Sequence, residues 1–215
     1  MEPIKVFCYG DSNTFGFEPV TRGRHPYDVR WTGVLQEMLG SEYRVLEQGS
    51  NGRTASYTEP FEVWKTGSYA LLPALHMCKP AEVIIFMLGT NDLKFFFRPK
   101  LEEIAEGMEK LVVTAREFLV EETGVDPKII LAAPIYVGEN IEESWLSCEF
   151  KANSAPLSRQ LAPLYREIAE RQNCYFLDAS LYAQPAEEDQ IHMNAEGHRA
   201  LAEAMHAAVL KVLGK

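Results

Sequence analysis

The sequence predicts an α/β fold in which a five-stranded parallel sheet is covered by helices on both faces, giving three layers, α/β/α. Strand-like apolar runs and amphipathic helical patterns alternate five times along the 215 residues. The clearest runs are apolar at almost every position, as strands buried on both faces are. Three runs end in glycine-containing polar loops, which a parallel sheet brings to one edge.

Five short segments have the length and composition of buried strands. They are rich in β-branched and aromatic residues, and glycine or proline follows most of them. The segments are residues 4–9, 43–48, 82–88, 128–133 and 174–177. The third is the clearest, because it is apolar throughout after its first residue.

Helical patterns fill the intervals between the strands. Thr32 is expected to cap a short helix that Gly40 ends. Residues 67–78 are expected to be helical although Pro73 lies within them. Residues 101–119 carry one apolar stripe at helical spacing, which indicates a helix packed on the core.

The C-terminal third continues the same alternation. Residues 157–168 are expected to form a helix that bends at Pro163, and Asn194 is expected to cap the last helix. No repeat, low-complexity tract or linker interrupts the chain. The prediction is therefore one domain over residues 1–215, with a flavodoxin-like arrangement of strands.

Composition excludes several classes of partner. The formal net charge of −10 disfavours nucleic acid and anionic membranes. No run of 18 apolar residues and no signal-peptide pattern occurs, which predicts a cytoplasmic protein without a membrane span. The four cysteines show no close pairing and are expected to be free thiols: Cys8, Cys78, Cys148 and Cys174.

The first strand leads directly into Gly10-Asp11-Ser12-Asn13, which places Ser12 at the carboxyl end of the strand. Two more glycine-bearing loops, residues 49–52 and 89–92, follow the second and third strands. Asp189 and His192 lie three residues apart just before the last helix. We expect Ser12, Gly52, Asn91 and His192 to converge on one cleft.

These residue types suit attack on an ester. A serine hydroxyl needs a neighbouring base to take its proton, and a neutral imidazole does this near pH 7. A carboxylate orients the imidazole, and fixed N–H donors stabilise the negative oxygen that forms. The order Ser12, Asp189, His192 is compatible with this chemistry. It is not the Gly-x-Ser-x-Gly elbow, because Thr14 stands two residues after the serine.

The same blocks resemble the SGNH (GDSL-type) hydrolases, and they are most similar to the arylesterase/acyltransferase branch. Residues 28–35, 52–54 and 87–92 resemble that branch in particular. The resemblance implies a serine esterase acting through an acyl-enzyme, with possible acyl transfer to alcohols. It assigns Ser12 as nucleophile, His192 as base and Asp189 as the orienting acid. The oxyanion hole would consist of the N–H groups of Ser12 and Gly52 and the Asn91 amide.

Other residues are candidates for contact with substrate. Arg53 is expected either to touch substrate or to form a salt bridge, and Trp31 and Trp145 are candidates for an apolar acyl pocket. The irregular segment 134–152 is expected to be a lid or a binding wall. His198 lies on the apolar stripe of the last helix, which indicates a packed side chain.

Two alternatives to the aryl or acetyl esterase stay open at this stage. One is a carbohydrate acetyl esterase. The other is a flavodoxin-like ligand- or flavin-binding protein without hydrolase activity. No metal motif, dinucleotide fingerprint or Walker loop occurs, so neither a metal nor a cofactor is expected. The expected partner is a small-molecule ester, and the resembled branch leaves a homo-oligomer open.

Overall fold

The computed structural model describes residues 2–215 and contains one five-stranded sheet with every neighbouring pair of strands parallel. The spatial order is β2-β1-β3-β4-β5. The predicted α/β fold is confirmed, and each strand begins and ends within a residue of the expected position. The strands are β1 (Ile4–Gly10), β2 (Tyr43–Gly49), β3 (Val83–Met87), β4 (Lys128–Ala133) and β5 (Tyr175–Asp178).

Helices cover both faces of the sheet. They are α1 (Ser12–Phe15), α2 (Trp31–Leu39), α3 (Gly67–Cys78), α4 (Leu101–Thr123), α5 (Ser154–Ser158), α6 (Leu161–Arg171) and α7 (Ala195–Val212). To cross a membrane, a helix would have to be longer or more apolar than any found between residues 2 and 215.

The alternating side chains of the strands divide the core into two clusters. Phe7 and Tyr9 of β1 pack with α3, α4 and α6, whereas Val6 and Cys8 pack with α2 and α7. Because both faces of β1 and β3 are covered, their side chains are apolar at successive positions. Burial of each such side chain contributes roughly 1.5–3 kcal/mol, which makes these strands the most strongly specified part of the fold.

Two helix boundaries differ from the sequence-based expectation. Helix α2 begins at Trp31, and the Thr32 hydroxyl donates to the carboxylate of Glu47 instead of capping the helix. The helix expected over residues 157–168 is two helices, interrupted at residues 159–160. Pro163 is the third residue of α6, where a backbone N–H has no intrahelical acceptor, so the proline begins a helix and does not bend one.

The order of the strands fixes where a ligand can bind. The chain passes from β1 outward to β2 and then returns across β1 to β3. In open sheets of this kind, the crevice lies at the carboxyl ends of the two strands where the direction changes. Ser12 directly follows β1, and Asn91 lies four residues after β3. The topology therefore brings the two loops to one crevice.

Candidate active site

The first residue of α1 is Ser12, which a tight turn presents at the edge of the sheet. Asp11 caps this helix by accepting a hydrogen bond from the Asn13 N–H at 3.0 Å. The turn needs glycine at position 10, because a Cβ there would lie 2.0 Å from Oγ1 of Thr14. The Oγ of Ser12 lies 2.8 Å from Nε2 of His192. The structure therefore places the candidate nucleophile within hydrogen-bonding distance of the candidate base.

The carboxylate of Asp189 holds His192 from the opposite side. Its Oδ2 lies 2.6 Å from Nδ1 of His192, and its Oδ1 accepts the backbone N–H groups of Ile191 and His192 at 3.0 and 2.9 Å. Burial acts to raise the pKa of Asp189, but the hydrogen bonds from His192 and Ile191 outweigh it and lower the pKa. An ionised carboxylate only accepts, so Nδ1 carries the proton and Nε2 accepts from the Ser12 hydroxyl.

Three N–H donors border the same cleft. Gly52 adopts φ +81, a conformation that favours glycine, in the loop after β2. Within residues 2–215, the N–H groups of Ser12 and Gly52 have no hydrogen-bond acceptor. The Asn91 amide donates to the Arg53 carbonyl at 3.2 Å, and its second N–H remains available. Ser12, Gly52, Asn91 and His192 all line this cleft, as the sequence predicted.

Buried charges hold the loop after β2 in place. Asp92 is fully buried and accepts the N–H groups of Ala55, Ser56 and Tyr57 at 2.7, 2.8 and 3.1 Å. Burial raises the pKa of Asp92 to about 6, against the opposing effect of these hydrogen bonds. The Asp92 carboxylate therefore joins the loop after β3 to the loop after β2.

Arg53 lies beneath the cleft, and this corrects its expected role. Its guanidinium donates to the carbonyls of Gly10 (at 3.0 Å) and Gln48, and lies 4.1 Å from the centre of the Tyr9 ring. The side chain is only 6% exposed and does not line the cleft, and within residues 2–215 it forms no salt bridge. Arg53 instead joins the ends of β1 and β2, which supports the loops that carry Ser12 and Gly52.

Trp31 also lies outside the cleft, contrary to the expectation of an acyl-pocket residue. It is fully buried, and its indole N–H donates to the carbonyl of Asn13 at 3.1 Å. Trp145, in contrast, lines the cleft, together with Leu146 and Phe150 of the same segment. The segment 134–152 therefore forms a wall of the cleft, as expected.

Sequence reasoning missed Phe17, which covers the catalytic candidates. Its ring centre lies 4.3 Å from that of His192 and 6.2 Å from that of Trp145. The guanidinium of Arg22 lies 4.5 Å from the centre of the Trp145 ring. Phe17 has no recognisable motif around it, because only the return of the loop after α1 brings it over the histidine.

His198 is a buried, neutral histidine, which confirms that it packs on the inner face of α7. Its Nδ1 accepts a hydrogen bond from the backbone N–H of Trp31 at 3.3 Å, and the residue is fully buried. Burial lowers the pKa of His198 to about 3, and repulsion from His25 and His192 in their protonated forms and from Arg30 acts in the same direction.

We expect His198 to destabilise the fold in acid, by about 2 kcal/mol between pH 7 and pH 5. In the unfolded chain an imidazole gains its proton near pH 6.5, whereas the folded chain keeps His198 neutral down to about pH 3. Protons in this window bind only the unfolded state. Stability is therefore greatest above pH 6.5 and is lost as the pH falls. Urea unfolding at the two pH values measures the change.

The matched variant for this prediction is His198→Asn. The Oδ1 of asparagine can accept the Trp31 N–H in place of Nδ1, but it does not take up a proton in this pH range. The variant should therefore lose about 2 kcal/mol less than the wild type between pH 7 and pH 5. Equal losses in the two proteins would show that other groups cause the acid destabilisation.

The chain matches a known protein family and is similar to several solved structures. A model of the GDSL-like lipase/acylhydrolase family matches residues 8–200. The crystal structure of a carbohydrate acetylesterase family member from Sinorhizobium meliloti has a TM-score of 0.91 and 32% sequence identity, covering 99% of this chain and 100% of that chain. The native aryl esterase of M. smegmatis has a TM-score of 0.89 and 30% identity, covering 97% of this chain and 99% of that one.

A curated relative is the acetylxylan esterase of Xylanibacter ruminicola, which is 25% identical over 224 residues. The match covers 97% of this chain and 43% of that protein, so the chain spans less than half the length of this relative. The range matched by the family model contains all the residues at the edge of the sheet described above: Ser12, Gly52, Asn91, Asp189 and His192.

Proposed function

The chain belongs to the GDSL-like lipase/acylhydrolase family, and we propose that it is a serine esterase that hydrolyses small acetyl or aryl esters through an acyl-enzyme. One observation carries the proposal. The Ser12 hydroxyl lies 2.8 Å from His192, whose other ring nitrogen lies 2.6 Å from the Asp189 carboxylate. A serine placed in this way can lose its proton as it attacks a carbonyl carbon.

Acylation of the serine is the first half of the reaction. The Ser12 proton passes to Nε2 of His192 while Oγ forms a bond to the ester carbonyl carbon. The negative charge that develops on the carbonyl oxygen is met by the N–H groups of Ser12, Gly52 and Asn91. The imidazolium then gives its proton to the alcohol oxygen, and the carbon–oxygen bond to the alcohol breaks. Asp189 stabilises the imidazolium throughout.

Deacylation repeats these steps with water. His192 takes a proton from the water as its oxygen attacks the acyl carbon, and it returns that proton to Ser12 when the acid leaves. An alcohol that reached the acyl-enzyme before water would receive the acyl group by the same steps. Transfer to alcohols is therefore part of the proposal. Its measure is the ratio of newly formed ester to free acid among the products when an alcohol is present.

The size of the cleft supports a short acyl group. Its volume is about 160 Å³. Phe17, Trp145 and Phe150 give it apolar walls. An acetyl group fits such a space, whereas a long acyl chain would have to extend out of it. The alcohol part of the ester must then lie elsewhere.

A second cavity adjoins the cleft and supports a larger alcohol. It measures about 650 Å³ and shares Lys65, Lys94 and Glu149 with the cleft. Its further lining includes the rings of Phe61, Phe96 and Phe97. Aromatic faces beside charged groups suit an alcohol that has both C–H faces and hydroxyls, as sugars have. This observation favours the carbohydrate acetyl esterase as the second candidate, in line with the names of two relatives.

The test of the proposal is hydrolysis of p-nitrophenyl acetate together with labelling by a fluorophosphonate. We expect turnover of the ester and a single adduct, located on Ser12 by peptide mass mapping. A p-nitrophenyl ester series of increasing acyl length should show kcat/KM falling beyond short chains. A yellow, flavin-containing preparation without label or turnover would instead support the flavin-binding alternative.

Phe96 tests whether the alcohol lies in the second cavity. Phe96 is 45% exposed and lines this cavity. We expect Phe96→Ala to raise the KM for acetylated xylo-oligosaccharides about tenfold, equivalent to about 1.4 kcal/mol. The KM for p-nitrophenyl acetate should stay the same, because this small ester does not reach the ring. Steady-state kinetics with both esters measures the difference.

The matched control is Met77→Ala, an exposed apolar residue at the end of α3. It should change neither KM. A Phe96→Ala variant that treats both esters as the wild type does would show that the second cavity does not bind the alcohol.

We also propose a cytoplasmic location. The support is chemical: all four cysteines are free, and Cys148 is exposed to solvent. Free exposed thiols persist in a reducing compartment and are oxidised elsewhere.

A further inference from the structure

The side chain of Asn13 joins two segments that lie 178 positions apart in the sequence. Its Nδ2 donates to the carbonyl of Ile191 at 3.2 Å, and its Oδ1 accepts the N–H of Met193 at 3.0 Å. These two backbone groups directly flank His192. We propose that Asn13 is a positioning residue that holds His192 against Ser12, an inference that rests on the proposed esterase function.

The hydrogen bonds of Asp189 and those of Asn13 have different effects on the position of His192. Asp189 accepts N–H groups of its own loop, so it shapes the loop without tying it to the nucleophile. Asn13 follows Ser12 directly in α1. Within residues 2–215, the hydrogen bonds between α1 and residues 189–193 are the two from the Asn13 side chain and the Ser12–His192 bond itself. The Asn13 bonds therefore set the distance between base and nucleophile.

Asn13, with its two hydrogen bonds to Ile191 and Met193, is called the clamp below. It is held in place, because every polar group of the residue has a hydrogen-bond partner. Its backbone N–H donates to Asp11 at 3.0 Å, and its carbonyl accepts the indole N–H of Trp31 at 3.1 Å. The residue is 3% exposed, so water does not compete for these bonds. Trp31, which has no contact with the cleft, thus contributes by fixing the clamp.

The chemistry of the contact requires a carboxamide. One planar group must offer a donor to Ile191 and an acceptor to Met193, and the side chains that combine the two in this geometry are Asn and Gln. An apolar side chain such as leucine at this position would leave both backbone groups without a partner. The polar side chain at position 13 is therefore a feature of this chain with a definite contact.

The main test is Asn13→Leu, which keeps the branching at Cγ and removes both hydrogen bonds. Small misplacements of a catalytic group cost up to about 10²-fold in rate, so we expect kcat for p-nitrophenyl acetate to fall by 10- to about 10²-fold. KM should change little, because Asn13 is not part of the cleft lining. Labelling of Ser12 by the fluorophosphonate should slow by a similar factor.

Two further variants separate positioning from folding. Asn13→Ser is made in parallel, because its hydroxyl is too short to span to the loop and adds no apolar bulk; it should show the same loss of kcat. Thr14→Val is the matched control on α1. The Thr14 hydroxyl is buried without a hydrogen-bond partner within residues 2–215, so this variant should keep wild-type kcat.

Dependence on the histidine is the decisive readout. In a His192→Ala background, adding Asn13→Leu should lower the residual rate no further, since there is no imidazole left to position. The low-field proton resonance of His192 Nδ1–H should shift in Asn13→Leu and stay unchanged in Thr14→Val. A further drop in the His192→Ala background, or folded Asn13 variants with wild-type kcat, would overturn the positioning role.

These outcomes are distinct from failure of the proposed function. A wild-type chain that neither turns over esters nor reacts with the fluorophosphonate would overturn the esterase. With the wild type active, the positioning role is overturned when the Asn13 variants are equally active or when Asn13→Leu lowers the residual rate in the His192→Ala background.

Discussion

Replacing Ser12 with alanine is expected to lower kcat for p-nitrophenyl acetate by about 10⁶-fold. The Oγ that bonds to the acyl carbon is lost, and no acyl-enzyme can form. The oxyanion donors remain, so a small rate above the uncatalysed reaction should persist. The measurement is steady-state turnover, with active enzyme counted by fluorophosphonate titration so that trace wild type does not set the observed rate.

The control for this variant is Ser50→Ala, in the neighbouring loop after β2. The Ser50 N–H donates to the Gly10 carbonyl, whereas its side chain makes no hydrogen bond within residues 2–215. Its removal should leave kcat unchanged. A Ser12→Ala protein that retained more than about 1% of wild-type kcat after titration would remove the basis for a serine nucleophile.

The sheet could be predicted because its strands are buried on both faces. The five residues of β3 are each at most 1% exposed, so the sequence there has no polar position that could suggest another structure. Helix boundaries were less predictable, because a single side chain decides them. Thr32 has the chemistry of a cap, yet Glu47 on β2 takes its hydroxyl. Such a competition depends on a contact between distant segments, which local patterns do not contain.

The candidate site divides in the same way. Ser12 and Asn91 were predictable because they lie in short motifs after strands. Asp189 and His192 were predictable because they lie three residues apart just before the last helix, and the family match confirms the resemblance that these motifs carry. Their roles stay predictions until the variants are measured. The contacts of Asn13 could not be predicted, because they join positions 178 and 180 residues apart.

Large side chains were the least predictable part of the site. Trp31 and Trp145 are equally aromatic, but one is fully buried beneath the nucleophile loop and the other is 38% exposed at the cleft. Arg53 is charged and lies next to Gly52, yet backbone carbonyls occupy its guanidinium. No residue pattern indicated an oligomeric state, and the homo-oligomer stays a prediction. For these large side chains, the residue type determines the possible contacts, and the packing of distant segments determines which contacts form.

The second large effect is expected from Asn91, whose amide supplies a donor to the oxyanion. Asn91→Ala should lower kcat on the order of 10²- to 10³-fold and leave KM nearly unchanged, because the donor acts on charge that exists only in the transition state. Steady-state kinetics with p-nitrophenyl acetate gives both constants. Asn153→Ala, an exposed asparagine whose side chain makes no capping bond, is the control and should behave as wild type.

Asn91→Asp is a second test of the donor role. The Asn91 amide also donates to the Arg53 carbonyl at 3.2 Å, so loss of that bond could displace the loop that carries Gly52. The aspartate has the same shape but, once ionised, only accepts, and its charge would face the developing oxyanion. We therefore expect a loss of kcat at least as large as that of Asn91→Ala. An aspartate variant as active as the wild type would show that position 91 does not donate to the oxyanion.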